Sequence, residues 1–282
     1  MSVKIQFPEL PRVNRELPLY TALPPSWTAE KVAKLASRFD MKGEVVDAGP
    51  WYVCRNEPWV LEVYQASHSL RIERRDIDAE GRDRKGDAPD REAAMATAKR
   101  VMAMIGDEYA KPELHSVTEL EVMRATREQR EGERHVVGLQ VNYRYALDGV
   151  PLVGPGAKAQ VSVGADGQLM QAYRFARAVE RIGARESVAP EEAMRRFAAS
   201  EMVARLDGRA KVSVSSAVLG LLAIPPTEVQ SVLVPVYVLR GEISTEALPR
   251  QAFVTYVAAT ELGEADAKRK RWQQVRPGLL TA

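Results

Sequence analysis

The sequence predicts an α+β protein in which a helix followed by antiparallel strands recurs as modules in tandem. Apolar stripes at helical spacing begin just behind helix-capping residues at three places, near residues 28, 90 and 190. Each is followed by runs that alternate apolar and polar side chains with a period of two, the pattern of half-buried strands. Turn formers separate the runs, among them Asp148-Gly149 and Asp166-Gly167.

Residues 1–25 carry Pro8, Pro11, Pro18, Pro24 and Pro25 and are expected to form an extended arm, because proline fixes φ and offers no ladder donor. The first module, 26–88, opens with Thr28 as N-cap. Val32, Leu35, Ala36 and Phe39 then share one face, and Gly43 stops the helix. Strands are expected at 44–46, 51–54 and 60–64, with a fourth at 69–74. The second module, 89–186, starts at Asp90. Its helix aligns Ala94, Ala98, Val101, Met102 and Ile105 and ends at Gly106. A strand near 116–125 and the polar linker TREQREGER precede the cleanest alternation in the chain. There Val137, Leu139, Val141, Tyr143, Tyr145 and Leu147 share one face, with Gln140, Asn142 and Arg144 on the other. The third module, 187–262, begins VAPEEAMRRF, with Pro190 suited to the first helical turn and Glu191 and Glu192 to the positive helix end. Strands follow over 212–224, 232–239 and 252–258, and 263–282 form a basic tail.

A chain of 282 residues, 45% hydrophobic, is long enough for several buried cores. Forty basic against 38 acidic residues leave a formal charge of +2, so no overall field calls for nucleic acid, and no nucleic-acid partner is expected. The single cysteine, Cys54, excludes an internal disulfide framework and fits a reducing compartment. No apolar run approaches the length of a membrane span or a signal-peptide core. The expected location is therefore cytoplasmic for the sequence as written, and extracytoplasmic if it is trimmed from a longer chain.

The most motif-like stretch is PLVGPGAKAQVSVGADG, residues 151–167. A phosphate-binding loop needs a glycine before its lysine, a Ser or Thr after it, and a following helix whose amides face the anion. Here Ala157 precedes Lys158, and Ala159, Val161 and Val163 continue as a strand. The stretch is read as hairpin turns in a meander that ends near Phe175. DIDAEGRDRKGD, residues 76–87, spaces acidic residues like a calcium loop. It lacks the closing Glu and a preceding helix, and holds Arg82, Arg84 and Lys85, so a solvated loop is expected. His68, His115 and His135 are scattered and no Cys pair exists, so no metal site, cofactor site or catalytic residue is assigned. Cys54, within WYVC, reads as a core residue, and Ser215-Ser216 lies in an alternating strand. The tail cluster Lys268-Arg269-Lys270-Arg271-Trp272 reads as solvated.

NYRYALDGVPLVGPGAKAQVSVGADGQLMQAYRF resembles the strand-turn-strand core of PepSY-like domains, and VAPEEAMRRF is similar to the helix start that such domains repeat. The closing run, with Leu233, Pro235, Tyr237 and Ala258, is similar to the end of YycH/YycI-type regulatory proteins. The resemblance spans about residues 90–260 and, more weakly, 28–75. It implies PepSY/cystatin-like modules in which an antiparallel sheet wraps a helix, acting as non-enzymatic modulators of proteases or of a sensor kinase. Those kinase regulators carry an N-terminal membrane anchor, and none is read in this sequence.

The leading expectation is a binding or regulatory protein that holds a protein partner through sheet faces or strand edges. The alternative is a small-molecule binder or unfamiliar enzyme, with Trp51, Trp59, Tyr143 and Tyr145 lining a cleft between modules. A third reading is self-association through the proline-rich arm.

Overall fold

The computed structural model describes residues 3–9, 11, 14–76, 89–106, 111–124, 133–165, 167–246, 250–263 and 266. The segment 76–87 apart from Asp76, most of the linker TREQREGER, and the basic tail cluster lie outside the described residues.

In chain order, β1 (Lys4–Gln6) and β2 (Glu16–Ala22) precede α1 (Ala29–Ser37). Then come β3 (Val45–Asp47), β4 (Trp51–Asn56), β5 (Trp59–Tyr64), β6 (Leu70–Arg74) and α2 (Arg91–Ile105). β7 (Glu113–Arg124), β8 (Glu133–Arg144), β9 (Ala146–Leu147), β10 (Val150–Val153), β11 (Lys158–Gly164), β12 (Leu169–Phe175) and β13 (Val179–Glu186) follow. The chain continues with α3 (Pro190–Ala198), the single turn α4 (Glu201–Ala204), β14 (Lys211–Leu222), β15 (Val232–Leu233), β16 (Pro235–Ser244) and β17 (Gln251–Ala258).

The signals at the helix starts hold. α1, however, ends at Ser37 with Arg38 as its C-cap, so Phe39 lies beyond it and Gly43 does not stop it. Gly43 instead permits close approach to Arg55 O, 1.9 Å from where a Cβ would stand. Thr28 caps α1 by accepting from the Lys31 N–H at 3.3 Å. The Asp90 carboxylate accepts from the Glu92 and Ala93 amides at 3.1 Å each. α2 ends at Gly106, whose φ of 87° is a left-handed conformation that glycine adopts without a Cβ clash. Pro190 sits in the first turn of α3.

The assembly of these elements overturns the expectation of repeated helix-then-sheet modules. Among the described residues the protein is mostly β, 49% strand against 17% helix, and the described strands form three sheets. The largest has eight antiparallel strands in the order β3-β4-β5-β6-β12-β11-β8-β7. Its centre is the β6–β12 pair, in which Ile72 faces Ala172 and Leu70 faces Arg174. That pairing joins two edges that hairpin signals alone leave open, and an open edge is satisfied best by another strand. Residues 45–74, 113–144 and 158–175 therefore supply one sheet. α1 and α2 cover one face of it, enclosing a core with Val32, Leu61, Ile72, Ala98, Val101, Val141 and Val161.

The second sheet has six strands, in the order β17-β16-β14-β10-β9, with β1 also on β14. β1 and β10 run parallel to β14, with Ile5 beside Val212 and Leu152 beside Leu221. α3 packs on one face through Ala193 and Phe197 against Tyr237, Leu239 and Val257. The third sheet, β13-β2-β15, covers one end of the opposite face, where Leu19 and Val232 meet Leu222, Val236 and Val238. The proline-rich arm thus contributes β2 as a central strand, with Leu17, Leu19, Tyr20 and Ala22 buried.

The hairpin reading of residues 151–167 holds at its flanks, where β10 pairs antiparallel with β9 and β11 with β12, and is corrected at 154–157. β10 pairs with β9 and β14, whereas β11 pairs with β8 and β12, so residues 154–157 carry the chain from one sheet to the other. Gly154 has φ 95°, and the Gly156 N–H donates to Ala223 O at 3.0 Å. A Cβ on Gly156 would stand 1.9 Å from Ile224 O, so the close approach requires glycine. That amide is committed to the fold and is not turned toward an anion.

A buried polar joint holds the three sheets together. Arg177, 5% exposed, donates to Ile224 O at 2.9 Å, Pro225 O at 2.8 Å and Glu228 O at 2.9 Å. Burial lowers its pKa to about 10, which leaves it charged at neutral pH. His68 Nδ1 accepts from the Ala178 N–H at 3.1 Å, and Ser67 Oγ donates to Pro226 O at 2.8 Å. No helix among the described residues is long and apolar enough to cross a membrane.

Candidate functional site

The eight-stranded sheet has an uncovered face, opposite α1 and α2, and the parity of the strands decides what it shows. Trp51, Tyr64, Phe175 and Tyr173 form a row along it. Ring centroids lie 6.4 Å apart for Trp51–Tyr64, 5.9 Å for Tyr64–Phe175 and 4.6 Å for Tyr173–Phe175. The first two contacts are edge-on and the last is stacked, the favourable arrangements for aromatic quadrupoles. Tyr173 donates its hydroxyl to Gln160 Oε1 at 3.0 Å. Burial raises the phenol pKa of Tyr64, Tyr143 and Tyr173, so these rings are neutral at physiological pH.

The row ends at a cleft of about 430 Å³ between the two larger sheets. One wall carries Ser116, Asn142, Arg144, Lys158 and Tyr173 from β7, β8, β11 and β12. The other carries Val218, Val238, Arg240, Val254 and Tyr256 from β14, β16 and β17. Register places Val218 opposite Val238, Val238 opposite Tyr256, and Arg240 opposite Val254, so these residues share the face that α3 does not cover. The three-stranded sheet shields only one end of that face, and Val218 and Val254 remain 42% and 56% exposed. Val218 on β14 and Val254 on β17, with β16 between them, leave apolar surface in water on a concave wall, and such surface gains by being covered.

Basic groups predominate in the cleft, with Glu113 across the β7–β8 register from Arg144. The described lining includes Arg144, Lys158, Arg240 and His115, and no Asp or Glu. Lys158 Nζ stands 5.5 Å from the Tyr173 ring centroid, a cation–π contact. None of Arg144, Lys158 and Arg240 has a carboxylate partner among the described residues. The rim offers backbone as well, because β7 pairs only with β8 and β17 only with β16 among the described strands.

The four aromatic residues expected to line a cleft are dispersed. Trp51 belongs to the aromatic row. Trp59 lies on the opposite face of the same sheet, packed against the helix-side core with the Arg74 guanidinium 5.8 Å from its ring. Tyr145 is 2% exposed and buried in that core, and Tyr143, which touches the floor of the cleft, turns its ring toward the same helix-side core, opposite Ala159 in register. Sequence reading does not mark Val218, Val254 or Arg240, and it places Lys158 in a turn and Arg144 on a polar strand face without assigning either to a site. Val218 and Val254 alternate like core residues, and the feature that distinguishes them is the absence of a covering layer.

A smaller pocket, about 240 Å³, gathers Trp27, Lys31, Lys34, Arg38, His68 and Arg174 at the end of α2. Its chemistry is structural. α2 has no basic residue in its last turn, and Arg38 and Arg174 reach across to its terminal carbonyls instead. Arg38 donates to Met104 O at 2.7 Å, and Arg174 donates to Ile105 O at 3.1 Å and to Gly106 O. Cys54 is fully buried, its thiol pKa raised by burial and its Sγ 3.3 Å from Gly43 O. Among the described residues, no three His, Cys, Asp or Glu side chains gather as metal ligands.

No family model matches the chain, and no curated protein does. Among solved structures it is similar to an uncharacterized protein from Eubacterium rectale, at 11% identity and a TM-score of 0.48, over 96% of this chain and 90% of that one. A likeness at that distance carries no argument about function.

Proposed function

We propose that this protein is a non-enzymatic binding protein that holds an extended segment of a protein partner in the cleft between its two larger sheets. The observation that carries the reading is the pair Val218 and Val254, exposed on a concave wall whose rim includes the unpaired side of β17. Such a wall gains apolar burial when covered, and an unpaired strand edge gives an extended chain a ready hydrogen-bonding partner. The resemblance to PepSY-like and YycH/YycI-type regulators supports a regulatory role for the binding.

The test is a light crosslink and pull-down from the native host, with wild type and the Val218→Asp/Val254→Asp variant in parallel. Both positions are exposed, so the variant should fold, as circular dichroism will show. A stoichiometric companion that crosslinks to β7 or β17 and is lost in the variant supports the reading. Retention of that companion by the variant, or no companion with either protein, overturns it.

A further inference from the structure

We propose that the segment held in the cleft is acidic: an extended polypeptide whose cleft-facing side chains alternate apolar residues with Asp or Glu. This rests on the binding reading above and adds the chemistry of the partner. The apolar half follows from the exposed Val218 and Val254, which offer contact surface but no polar partner. The acidic half follows from Arg144, Lys158 and Arg240, placed on both walls with no carboxylate partner among the described residues. Cations beside a low-dielectric wall attract carboxylates more strongly than in open water, and guanidinium groups pair with them in bidentate geometry.

Strand geometry supplies the register. A chain laid along the edge of β17 turns every second side chain into the cleft, beside Val254 and Tyr256 and toward Arg240. A second copy of this chain fits poorly, because an isologous contact would set one basic cleft against another. Nucleic acid fits less well than peptide: the cations are few and separated by apolar side chains, and the chain carries a formal charge of only +2.

The test uses three labelled peptides in fluorescence anisotropy with the full chain: Val-Thr-Glu-Thr-Val-Thr-Glu-Thr and its counterparts with Gln or Lys in place of Glu. The Glu peptide is expected to bind about tenfold more tightly than the Gln peptide, the Lys peptide more weakly still. Its affinity should fall as salt rises from about 50 to 300 mM. In the folded R144Q/K158Q/R240Q variant, Glu and Gln peptides should bind alike. Equal binding of the two peptides to wild type overturns the acidic assignment and leaves the binding reading standing. So does an affinity for the Glu peptide that the triple variant does not change, or an oligothymidine that binds more tightly than the Glu peptide. Binding by none of the peptides overturns the acidic assignment. The binding reading then stands or falls separately, on whether the companion is lost in the Val218→Asp/Val254→Asp variant.

Discussion

Acid should weaken this fold through His68 in a defined window. The imidazole is 4% exposed at the joint between the sheets, where its Nδ1 accepts the Ala178 N–H and therefore carries no proton. Burial, followed by the charges of Arg174, Arg177 and Lys31, lowers its pKa from 6.5 to about 4. Above pH 6.5 both folded and unfolded chains hold a neutral His68, and its contribution to stability is fully present. Between 6.5 and about 4 the unfolded chain binds the proton first, so stability declines as the pH falls and levels out below the folded value. At about 1.4 kcal/mol per pH unit the window is worth about 3 kcal/mol. Other groups titrate over the same range, so the comparison must isolate this one. His68→Asn keeps an acceptor for Ala178 and removes the titration. Urea unfolding of both proteins between pH 7.5 and 4 should show wild-type stability falling by about 2–3 kcal/mol more than the variant's. A difference that stays flat across that range would refute the assignment of a neutral, buried His68.

Three further outcomes follow from the same coordinates. Arg177→Met leaves the carbonyls of Ile224 and Glu228 without the Arg177 donor and Pro225 O with only the Glu228 N–H, and should cost about 3 kcal/mol in urea unfolding. Gly156→Ala drives a Cβ into Ile224 O and should cost about 2 kcal/mol or more, whereas Gly49→Ala, in open space at φ 85°, should cost about 1 kcal/mol, as thermal melts of the pair will show. Cys54 should resist a thiol reagent in the native protein and react promptly in denaturant, so rapid native labelling would contradict its buried position.

Much of the local structure was legible in the sequence because its causes lie within a few residues. Thr28, Asp90 and Pro190 mark helix starts through their own side chains, and Gly106 permits a backbone angle other residues resist. The alternation of Leu139, Val141 and Tyr143 shows a buried face because successive residues of a strand must point opposite ways, but β8 ends at Arg144 and Leu147 passes to β9 of the second sheet. The same rule separates Trp51 from Trp59 once the β4–β5 register sets Trp51 beside Tyr64 and Asn56 beside Trp59. Their proximity in sequence therefore suggested a shared cleft that the pleat forbids.

By itself, then, the sequence determined where the three main helices begin and the inward face of most strands, since capping, turn chemistry and periodicity are short-range, while β1, β2 and β13 carried no such signal. Tertiary structure decided the rest. The β6–β12 pair, the parallel alignment of β1 and β10 on β14, and the placement of β2 between β13 and β15 each join residues far apart in the chain. No local signal specifies such pairings. They are selected because closing a long loop costs little more than closing a short one, while an open strand edge and an uncovered apolar face remain costly. The cleft arises from that selection: the three-stranded sheet covers one end of the β14–β17 face and stops short of Val218 and Val254, and the eight-stranded sheet brings Arg144 and Lys158 opposite them.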